Sequence, residues 1–309
     1  LATRHAVWTF ADAPPLAAEY QETAPGRYDA LFLPRVIHHT NDLFPHDLAF
    51  GRDGEIWVVN TRFSCLATLS DRHAFEPRWW PPFVSAIVPE DRCHLNGLAM
   101  DQGVPRYVTA LGETDTPGGW RPNKNGGGVV IDAATGRTVL RGLSMPHSPR
   151  IHDGRLELLN SGTGEYGFLD PALGRFETIQ ALPGYLRGLC AVDHVALVGM
   201  CMVREQHLFG GVPIGENWAT LRCGVALVDR TRGITLGELT FTAGCQEIFE
   251  IRFLRDLRRP NILNLDRPEV LDAFPVPAPH RLRLRRLLGL RHGHQRRRQP
   301  GRRGRGPDG

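Results

Sequence analysis

The chain has 309 residues, enough for one large domain with a buried core, and its 34 glycines and 24 prolines suit a fold of many short strands and turns. Its formal net charge of +4 is unevenly distributed. Eleven arginines and one acid lie from Arg281 to Gly309, which leaves 26 basic and 32 acidic residues before them. A mildly acidic body argues against nucleic-acid binding by that part of the chain.

Composition also bears on membranes and on redox chemistry. No apolar run reaches the roughly 18 residues that a membrane helix needs, so no membrane span is predicted. The six cysteines are scattered and form no C-x-x-C pair, which argues against a zinc knuckle. We therefore expect reduced thiols and a cytoplasmic location.

The first recognisable pattern lies at residues 1–12, which resemble the second half of a later unit at 58–71. In both, a strand with small residues is followed by Thr-Arg and then by a second strand that runs back beside the first. The similarity predicts that the chain begins inside its first blade and lacks the part that opens it. A long connection follows at 13–43, with a strand expected at 30–36.

A strand-turn-strand unit begins at residues 44–48 with the sequence FPHDL, and its layout returns four times down the chain. At each return a polar side chain is followed two residues later by Leu, Pro or Ile, and then by sequence typical of strands. The polar positions are His46, Asn96, His147, Arg187 and Gln246. Their spacings of 50, 51, 40 and 59 residues give a period near fifty, which is typical of a β-propeller.

Three further segments have the pattern of a β-hairpin and supply the outer half of a blade. They lie at 128–140, 166–179 and 224–239, and each reads as a strand, an Asp, a turn with Gly, and a strand. Inner and outer halves together give four strands per unit. Five polar positions plus the N-terminal half-unit therefore predict an all-β, six-bladed propeller over residues 1–279, in which 245–279 close the ring with the N-terminal piece.

The character of the chain changes after Pro279. Residues 280–309 contain few strand-forming residues and many arginines. Such a segment could bind nucleic acid or an acidic membrane surface, but this composition is typical of disorder. We expect a disordered Arg-rich tail.

Several long motifs carry a family resemblance: PEDRCHLNGLAM (89–100), YVTALGETDTPGGWR (107–121), GLSMPHSPR (142–150) and FGGVPI (209–214). With them the chain resembles an uncharacterised bacterial family of conserved hypothetical β-propeller proteins, a domain of unknown function, from about residue 1 to 279. Members of that family carry a further stretch before the point where this chain begins. More remotely, N-G-L-A is similar to six-bladed gluconolactonase, regucalcin and strictosidine synthase relatives. The resemblance implies the fold and no activity.

Polar residues at the mouths of the blades could form a metal site. In a propeller the loops that enter the innermost strands converge on one axis, so residues fifty apart in sequence become neighbours. His46, His94 and His147, with Glu247, would suit Zn²⁺, Fe²⁺ or Mn²⁺, and the cation would support lyase or hydrolase chemistry. The alternative is a polar channel filled with water and lined by hydrogen-bonded side chains.

Acid–base chemistry without a metal is a second interpretation of the same positions. Here His147 and Glu247 move a proton, and Arg187 holds the negative charge of a substrate. The side chains expected to bind substrate are Asn96, Glu113, Asp115, Arg150, Arg204 and Glu205. Arginines in such a channel can equally be structural ion-pair partners.

Two function hypotheses remain from the sequence. The first is an enzyme at the channel mouth that acts on a small polar or anionic molecule, with a divalent metal ion as a possible cofactor. The second is a non-catalytic propeller that binds a protein, peptide or glycan through the Trp-Pro segment at 79–83. The concentration of His, Asn, Arg and Glu at equivalent positions favours the first.

Overall fold

The computed structural model describes residues 1–18, 20, 26–202, 211–271, 273 and 274. In this part of the chain the architecture is a β-propeller built from five sheets. The predicted tail at 280–309 lies outside these residues, and the predicted boundary at 279 stays a prediction. No helix within the described ranges is both long and apolar enough to cross a membrane.

Four of the sheets are antiparallel four-stranded blades whose strands lie side by side in sequence order. Blade 1 contains β3 (Pro45–Phe50), β4 (Ile56–Asn60), β5 (Cys65–Thr68) and β6 (Glu76–Trp79). Blade 2 contains β7 (Leu95–Asp101), β8 (Val104–Ala110), β9 (Gly128–Asp132) and β10 (Thr138–Leu143). Blade 3 contains β11 (Pro146–His152), β12 (Arg155–Asn160), β13 (Glu165–Asp170) and β14 (Arg175–Ala181). Blade 4 contains β15 (Tyr185–Val192), β16 (Val195–Cys201), β17 (Gly224–Asp229) and β18 (Ile234–Thr240).

The fifth sheet has three strands in the order β1, β2, β19. They are β1 (Ala6–Asp12), β2 (Ala30–His39) and β19 (Pro260–Ile262), and β19 runs parallel to β2. Helical segments are short: α1 (Pro14–Ala17), α2 (Pro268–Leu271), and 3₁₀ turns at Arg121–Asn123 and Pro213–Thr220. The strand expected at 30–36 is therefore confirmed as part of β2.

The prediction of six blades is wrong, because residues 245–257 form no strand. The backbone of this stretch is tied to blade 4 by a hydrogen bond from Met202 N to Gln246 O (2.9 Å), and its further anchors are side chains. The strand that follows it, β19, pairs with β2 and is not available as a partner. Strand β1 also pairs with β2 instead of completing a sixth sheet.

The outer hairpins form as predicted, and each is closed by its aspartate. Oδ1 of Asp132 accepts hydrogen bonds from the backbone N–H groups two and three residues ahead, at 2.9 and 3.1 Å. Asp170 and Asp229 do the same in blades 3 and 4. The glycine of each turn has a positive φ, as at Gly136 (φ 71°), where a Cβ would be strained.

The chain divides into two compact units, and each has its own apolar core. One unit comprises residues 1–10 and 35–257, and its core lies in the spaces between neighbouring blades. Leu66 and Leu95 belong to the cluster between blades 1 and 2, Leu143 and Leu158 to the next, and Leu159 to the cluster shared with blade 4. The other unit comprises 11–34 and the chain from 258 on. Its core contains Ala13, Ala17, Tyr20, Leu31, Leu33 and Leu263.

A buried ion pair joins blades 3 and 4. The carboxylate of Glu157, which is fully buried, accepts hydrogen bonds from Nη2 (2.7 Å) and Nε (3.0 Å) of Arg230 and from the hydroxyl of Tyr166 (2.7 Å). Arg230 also binds Asp153 at 3.1 Å. Because these partners satisfy the charge inside the protein, removal of one of them leaves the other charge buried and unpaired.

We predict that Arg230→Gln lowers the free energy of unfolding by about 3–5 kcal/mol, because Glu157 then lacks its cation. Urea denaturation at pH 7 measures the change. The control is Arg222→Gln, which breaks the exposed pair with Glu238 (2.9 Å) and should cost no more than about 1 kcal/mol. Equal losses in the two variants would contradict the prediction.

Candidate functional site

The innermost strands of the four complete blades share one irregularity. Near its start each of them slips in register against the second strand of its blade, as a β-bulge does. The slips lie between Pro45 and Leu48, Leu95 and Gly97, His147 and Arg150, and Leu186 and Leu189. Four of the five predicted polar positions fall in or beside these slips, and Gln246 lies in a stretch that forms no strand. The sequence repeat thus marks the β-bulge near the start of the innermost strand, where the regular hydrogen bonding between strands is interrupted.

A second backbone feature recurs just before three of these strands. Phe44, His94 and Met145 each precede the first strand residue and have φ values of 54°, 50° and 50°. A positive φ is costly for residues other than glycine and is often found at functional sites. His94 therefore occupies the position of Phe44, and not that of His46, in its blade. This displacement brings two histidines of neighbouring blades together.

Aromatic rings meet at this end of the blades and form a rim cluster of Phe44, His46, His94, Trp120 and Phe249. The imidazoles of His46 and His94 lie edge to face, with ring centroids 4.8 Å apart. Phe44 packs at 4.7 Å from His46, and Trp120 at 4.4 Å from His94. Phe249, half of whose surface is exposed, lies 5.9 Å from His46. The predicted convergence of His46 and His94 is thus found, within an aromatic surface.

The imidazole of His46 is held through Nδ1. This atom lies 3.1 Å from Phe44 O and 2.8 Å from Thr61 Oγ1, and the hydroxyl of Thr61 donates to Leu95 O at 2.5 Å. A carbonyl oxygen only accepts, and the hydroxyl has already used its proton. Nδ1 therefore carries the ring proton, and Nε2 keeps a lone pair.

His147 repeats this arrangement in blade 3. Its Nδ1 lies 2.9 Å from Met145 O and 3.0 Å from Ser161 Oγ, so the same tautomer follows. The ring is buried and packs edge to face on Tyr185, at 5.7 Å. Ser161 and Thr61 occupy equivalent positions, one residue after the second strand of their blades. Two blades therefore present a histidine that is backed by a hydroxyl.

His94 is oriented by a carboxylate. Its Nδ1 lies 2.9 and 3.0 Å from the two oxygens of Asp91, and the indole Nε1 of Trp120 donates to the same carboxylate at 3.1 Å. A carboxylate on Nδ1–H fixes the tautomer and the orientation of the ring. His94 thus has the partner that orients the histidine of many catalytic sites.

Arg187 is the cation of the site. Its guanidinium carbon lies 4.0 Å from the ring centroid of Phe249, which is the distance of a cation–π contact. Within the described part of the chain, no carboxylate forms an ion pair with it. Its charge acts on His46 and His147, both of which lie close enough to be affected.

Both of these histidines are held neutral. Burial lowers the pKa of His46 well below its usual value, and His94 and Arg187 lower it further. Burial and then Arg187 lower the pKa of His147 in the same way. The site therefore combines one positive charge with uncharged imidazoles at neutral pH, and their Nε2 atoms can accept a proton.

Arg150, predicted to bind substrate, belongs to an ion-pair network beneath these residues. Its Nη1 binds Asp47 Oδ2 and its Nη2 binds Glu250 Oε2, both at 2.7 Å. Asp47 also accepts the backbone N–H of Leu98 at 3.1 Å, and Arg252 binds Glu250 at 2.7 Å. Burial opposes the charge on Arg150, but Asp47 and Glu250 raise the pKa of its guanidinium above the usual value. Its Nη1 and Nη2 groups bind the protein itself, whereas its buried Nε has no partner among the described residues.

Asn96 also makes its hydrogen bonds within the protein. It is buried, its Nδ2 donates to Pro146 O of blade 3 at 2.9 Å, and its Oδ1 accepts from Thr109 Oγ1 at 2.5 Å. The amide therefore joins blades 2 and 3, which explains a polar residue at this position without a ligand.

Two predicted carboxylates lie outside the rim cluster. Glu113 is exposed and binds Arg141 of β10 at 2.7 and 3.0 Å. Asp115 accepts the backbone N–H of Ser85 at 2.9 Å and binds Arg92 at 2.7 Å. Hydrogen bonds from Ser85 and the charge of Arg92 lower the pKa of Asp115 to about 2. Both carboxylates brace a loop and do not face the histidines.

The remaining predicted residues are Glu247, Arg204 and Glu205. Glu247 is exposed on the stretch after β18. Burial raises the pKa values of Tyr185 and Cys201, and the charge of Glu247 raises them further. Arg204 and Glu205 lie outside the described residues. Among the residues that the structure does describe, no three His, Cys, Asp or Glu side chains converge as metal ligands do. The predicted divalent-metal site of His46, His94, His147 and Glu247 is therefore not confirmed.

Sequence reasoning missed the side chains that hold and cover the histidines. Asp91 and the hydroxyl residues Thr61 and Ser161 belong to this group, as do Phe44 and Phe249. An alignment of the repeats offers one signal, because Thr61 and Ser161 each follow an asparagine at the end of a second strand. Nothing in the spacing of Phe249 indicates that its ring reaches Arg187.

Solved structures that resemble the chain include two lyases and a synthase. A streptogramin B lyase is 14% identical with a TM-score of 0.41, over 67% of this chain and 59% of its own. A catalytically inactive virginiamycin B lyase from Staphylococcus aureus with quinupristin is 12% identical with a TM-score of 0.40, over 70% and 63%. The hydrazine synthase of Kuenenia stuttgartiensis is 10% identical with a TM-score of 0.39, over 64% and 49%. The chain thus spans about half to two thirds of their length, and likeness at this level assigns it no activity.

Comparison with sequence families gives a firmer result. No curated protein matches the chain. Residues 1–263 match the family described as Domain of unknown function (DUF4915), a span that includes all four complete blades and the rim cluster. The chain therefore belongs to this family.

Proposed function

We propose that the mouth of the propeller is an active site that binds a small organic anion at Arg187 and removes a proton with a neutral imidazole. The observation that carries the proposal is the guanidinium of Arg187, which no described carboxylate pairs with and which stacks on Phe249 at 4.0 Å beside two histidines with lowered pKa values. Arg150 and Arg230, by contrast, are both paired with carboxylates of the protein itself.

The charge distribution supports an anionic ligand. Beneath the rim, the charges of Arg150 and Arg252 are matched by Asp47 and Glu250. Nearer the mouth, His46 and His147 are uncharged, and the positive charge of Arg187 has no carboxylate partner among the described side chains. A carboxylate or phosphate on the guanidinium would restore the balance through charge-assisted hydrogen bonds.

The orientation of the imidazoles supports proton transfer. In His46 and His147 the protein holds the ring proton on Nδ1, and the Nε2 lone pair is left to accept another. Removal of a proton from the carbon beside the bound anion, with departure of a leaving group from the next carbon, is the elimination that a lyase catalyses. Removal of a proton from water as it attacks an acyl carbon, whose leaving group then departs with a proton, is hydrolysis. In this scheme Arg187 stabilises the negative charge that develops, and His147 or His46 is the base. The predicted role of Glu247 as a second proton carrier remains part of the proposal.

Metal-assisted chemistry is a second candidate, favoured by one observation. In all three histidines Nδ1 is bound to a carbonyl, hydroxyl or carboxylate oxygen, which is how metal-binding imidazoles are usually oriented. Elemental analysis of the purified protein tests it. Stoichiometric zinc, iron or manganese that is lost in His46→Ala and His147→Ala would support a metal site, and metal-free protein with proton-transfer activity would exclude it.

The non-catalytic alternative depends on the Trp-Pro segment. Trp80 is 43% exposed, whereas Trp79 packs against the core cluster between blades 1 and 2. One exposed ring is a smaller anchor than a specific peptide or glycan site normally uses. The experiments on Arg187 distinguish the two functions, because Trp80 lies outside the rim cluster.

We predict that Arg187→Gln weakens the binding of small carboxylates by about 10-fold to 150-fold, the effect of losing one charged hydrogen bond worth about 1.5–3 kcal/mol. Isothermal titration with a panel of small mono- and dicarboxylates measures it. The matched control is Arg155→Gln, which removes another guanidinium stacked on a phenylalanine, 4.3 Å from Phe168 in blade 3. Equal affinities for both variants and the parent would overturn the proposal.

We also predict a loss of stability in acid that depends on His46 and His147. Their pKa values are lowered in the folded protein, so below about pH 6.5 the unfolded chain takes up protons that the folded chain does not. As the pH falls below about 6.5, each of the two histidines lowers the free energy of unfolding by up to about 1.4 kcal/mol per pH unit. Above pH 6.5 this loss is absent. Urea denaturation between pH 5 and 8 measures the slope.

The variants for this experiment keep the hydrogen bonds of Nδ1. In His46→Asn/His147→Asn the amide N–H replaces Nδ1–H, so the slope should decrease while the stability at pH 8 changes less. His73→Asn, which removes an exposed imidazole, is the control and should keep the parental slope. A double variant with an unchanged slope would show that other groups cause the acid sensitivity.

A further inference from the structure

The stretch after β18 carries residues to the channel mouth without forming a strand. Residues 242–257 have no regular secondary structure, yet Phe249 contacts His46 and Arg187, and Glu250 binds Arg150. We call this stretch the closing segment. Its position must therefore be fixed by individual contacts, since no ladder of backbone hydrogen bonds holds it.

Two of these contacts involve thiols. The Sγ atom of Cys201, at the end of β16, accepts the N–H of Ile248 and lies equally close to its carbonyl oxygen, 3.2 Å from each. At the start of the closing segment, Cys245 Sγ lies 3.7 Å from Cys223 Sγ and 3.3 Å from Glu247 O. Cys223 directly precedes β17 and its carbonyl accepts the N–H of Phe241 at 2.9 Å. The sulfur atoms of Cys223 and Cys245 are thus in contact, on elements that are already tied together.

We propose that Cys223 and Cys245 form a reversible disulfide that fastens the closing segment to blade 4. Contact between the two sulfur atoms means that a bond needs only a small approach of one side chain. Cys245 is half-buried, whereas Cys223 is buried, so an oxidant reaches Cys245 first. Cys201 is engaged with the backbone of Ile248, which leaves Cys223 as the partner.

The reaction needs a low-molecular-weight disulfide such as oxidised glutathione. The thiolate of Cys245 attacks one sulfur of this disulfide, its S–S bond breaks, and one glutathione leaves as a thiolate that takes up a proton. Cys223 then loses its proton to water and attacks the sulfur of Cys245, and the second glutathione leaves in the same way. Two protein thiols are oxidised and one disulfide is reduced to two thiols. Burial and the neighbouring Cys245 raise the pKa of Cys223, so only a small fraction of its thiol is ionised at neutral pH.

The bond would act on the channel mouth through the chain. Phe249 lies four residues after Cys245, and Glu250 follows it. A covalent link at Cys245 restricts the positions of both in the native state and closes a loop of 22 residues in the unfolded state. The oxidised protein should therefore hold the ring over Arg187 more firmly and resist unfolding.

The test uses the full chain under native conditions with oxidised glutathione. Thiol titration should fall from the six cysteines of the sequence to four, and peptide mass mapping should identify the link between residues 223 and 245. The melting temperature should rise by about 5–10 °C. Hydrogen exchange in residues 242–252 should slow, because the segment opens less often.

Matched cysteine variants separate the proposed bond from general oxidation. Cys245→Ser and Cys223→Ser should show no protein disulfide and no rise in melting temperature, whereas Cys190→Ser should fall from five thiols to three and rise like the parent. A stable mixed disulfide on Cys245, a link to another cysteine, or a link without change in melting temperature and exchange would overturn the proposal. None of these measurements needs a ligand at Arg187, so they stand apart from the proposed function.

Discussion

The ion pairs of Arg150 hold the centre of this propeller together. Its guanidinium reaches from blade 3 to Asp47 of blade 1 and to Glu250 of the closing segment, while Asp47 accepts the N–H of Leu98 in blade 2. Four pieces of chain thus meet on one charged group at the place where backbone ladders cannot connect them. Such a network is costly to bury and stable only when complete, so it fixes the positions of the strand starts that it touches. The histidines of the rim lie at those same strand starts.

Charge separates the two layers of the channel end. In the lower layer, Arg150 forms ion pairs with Asp47 and Glu250, and both the N–H and the oxygen of the Asn96 amide are hydrogen-bonded. In the upper layer the protein lowers the pKa values of His46 and His147 and leaves Arg187 on an aromatic ring. The lower layer has the features of a structural joint. The upper layer has a guanidinium that no described carboxylate pairs with, beside two neutral imidazoles, and the proposed function rests on these groups.

The sequence repeat predicted the propeller and most of the ring of polar positions, because spacing and alternation follow directly from one blade per period. It placed His46, His147 and Arg187 together, and it identified the hairpins closed by Asp132 and its equivalents. It could not predict that Asn96 and Arg150 bind partners on other blades, because these partners, a backbone carbonyl and a carboxylate, lie 50 and 103 residues away in sequence. The blade count failed at Gln246 for a related reason. A strand-like sequence forms a strand only if a partner strand is free, and β19 pairs elsewhere.

The site is held in two different ways. In blades 1 to 4 the mouth residues are placed by ladders and by repeated bulges, so their positions are set by many backbone hydrogen bonds at once. Phe249 and Glu250 come from a segment without a ladder, and individual contacts hold this segment in place. They are the backbone bond to Met202, the contacts with Arg150 and Arg187, the pair of Arg255 with Asp193, the thiol contacts and the packing of Ile248. Interactions of this kind are few and separable, so one chemical event can alter them without unfolding a blade. The closing segment, which has the fewest backbone hydrogen bonds, is therefore the part of the site that a single chemical change, such as thiol oxidation, can alter most easily.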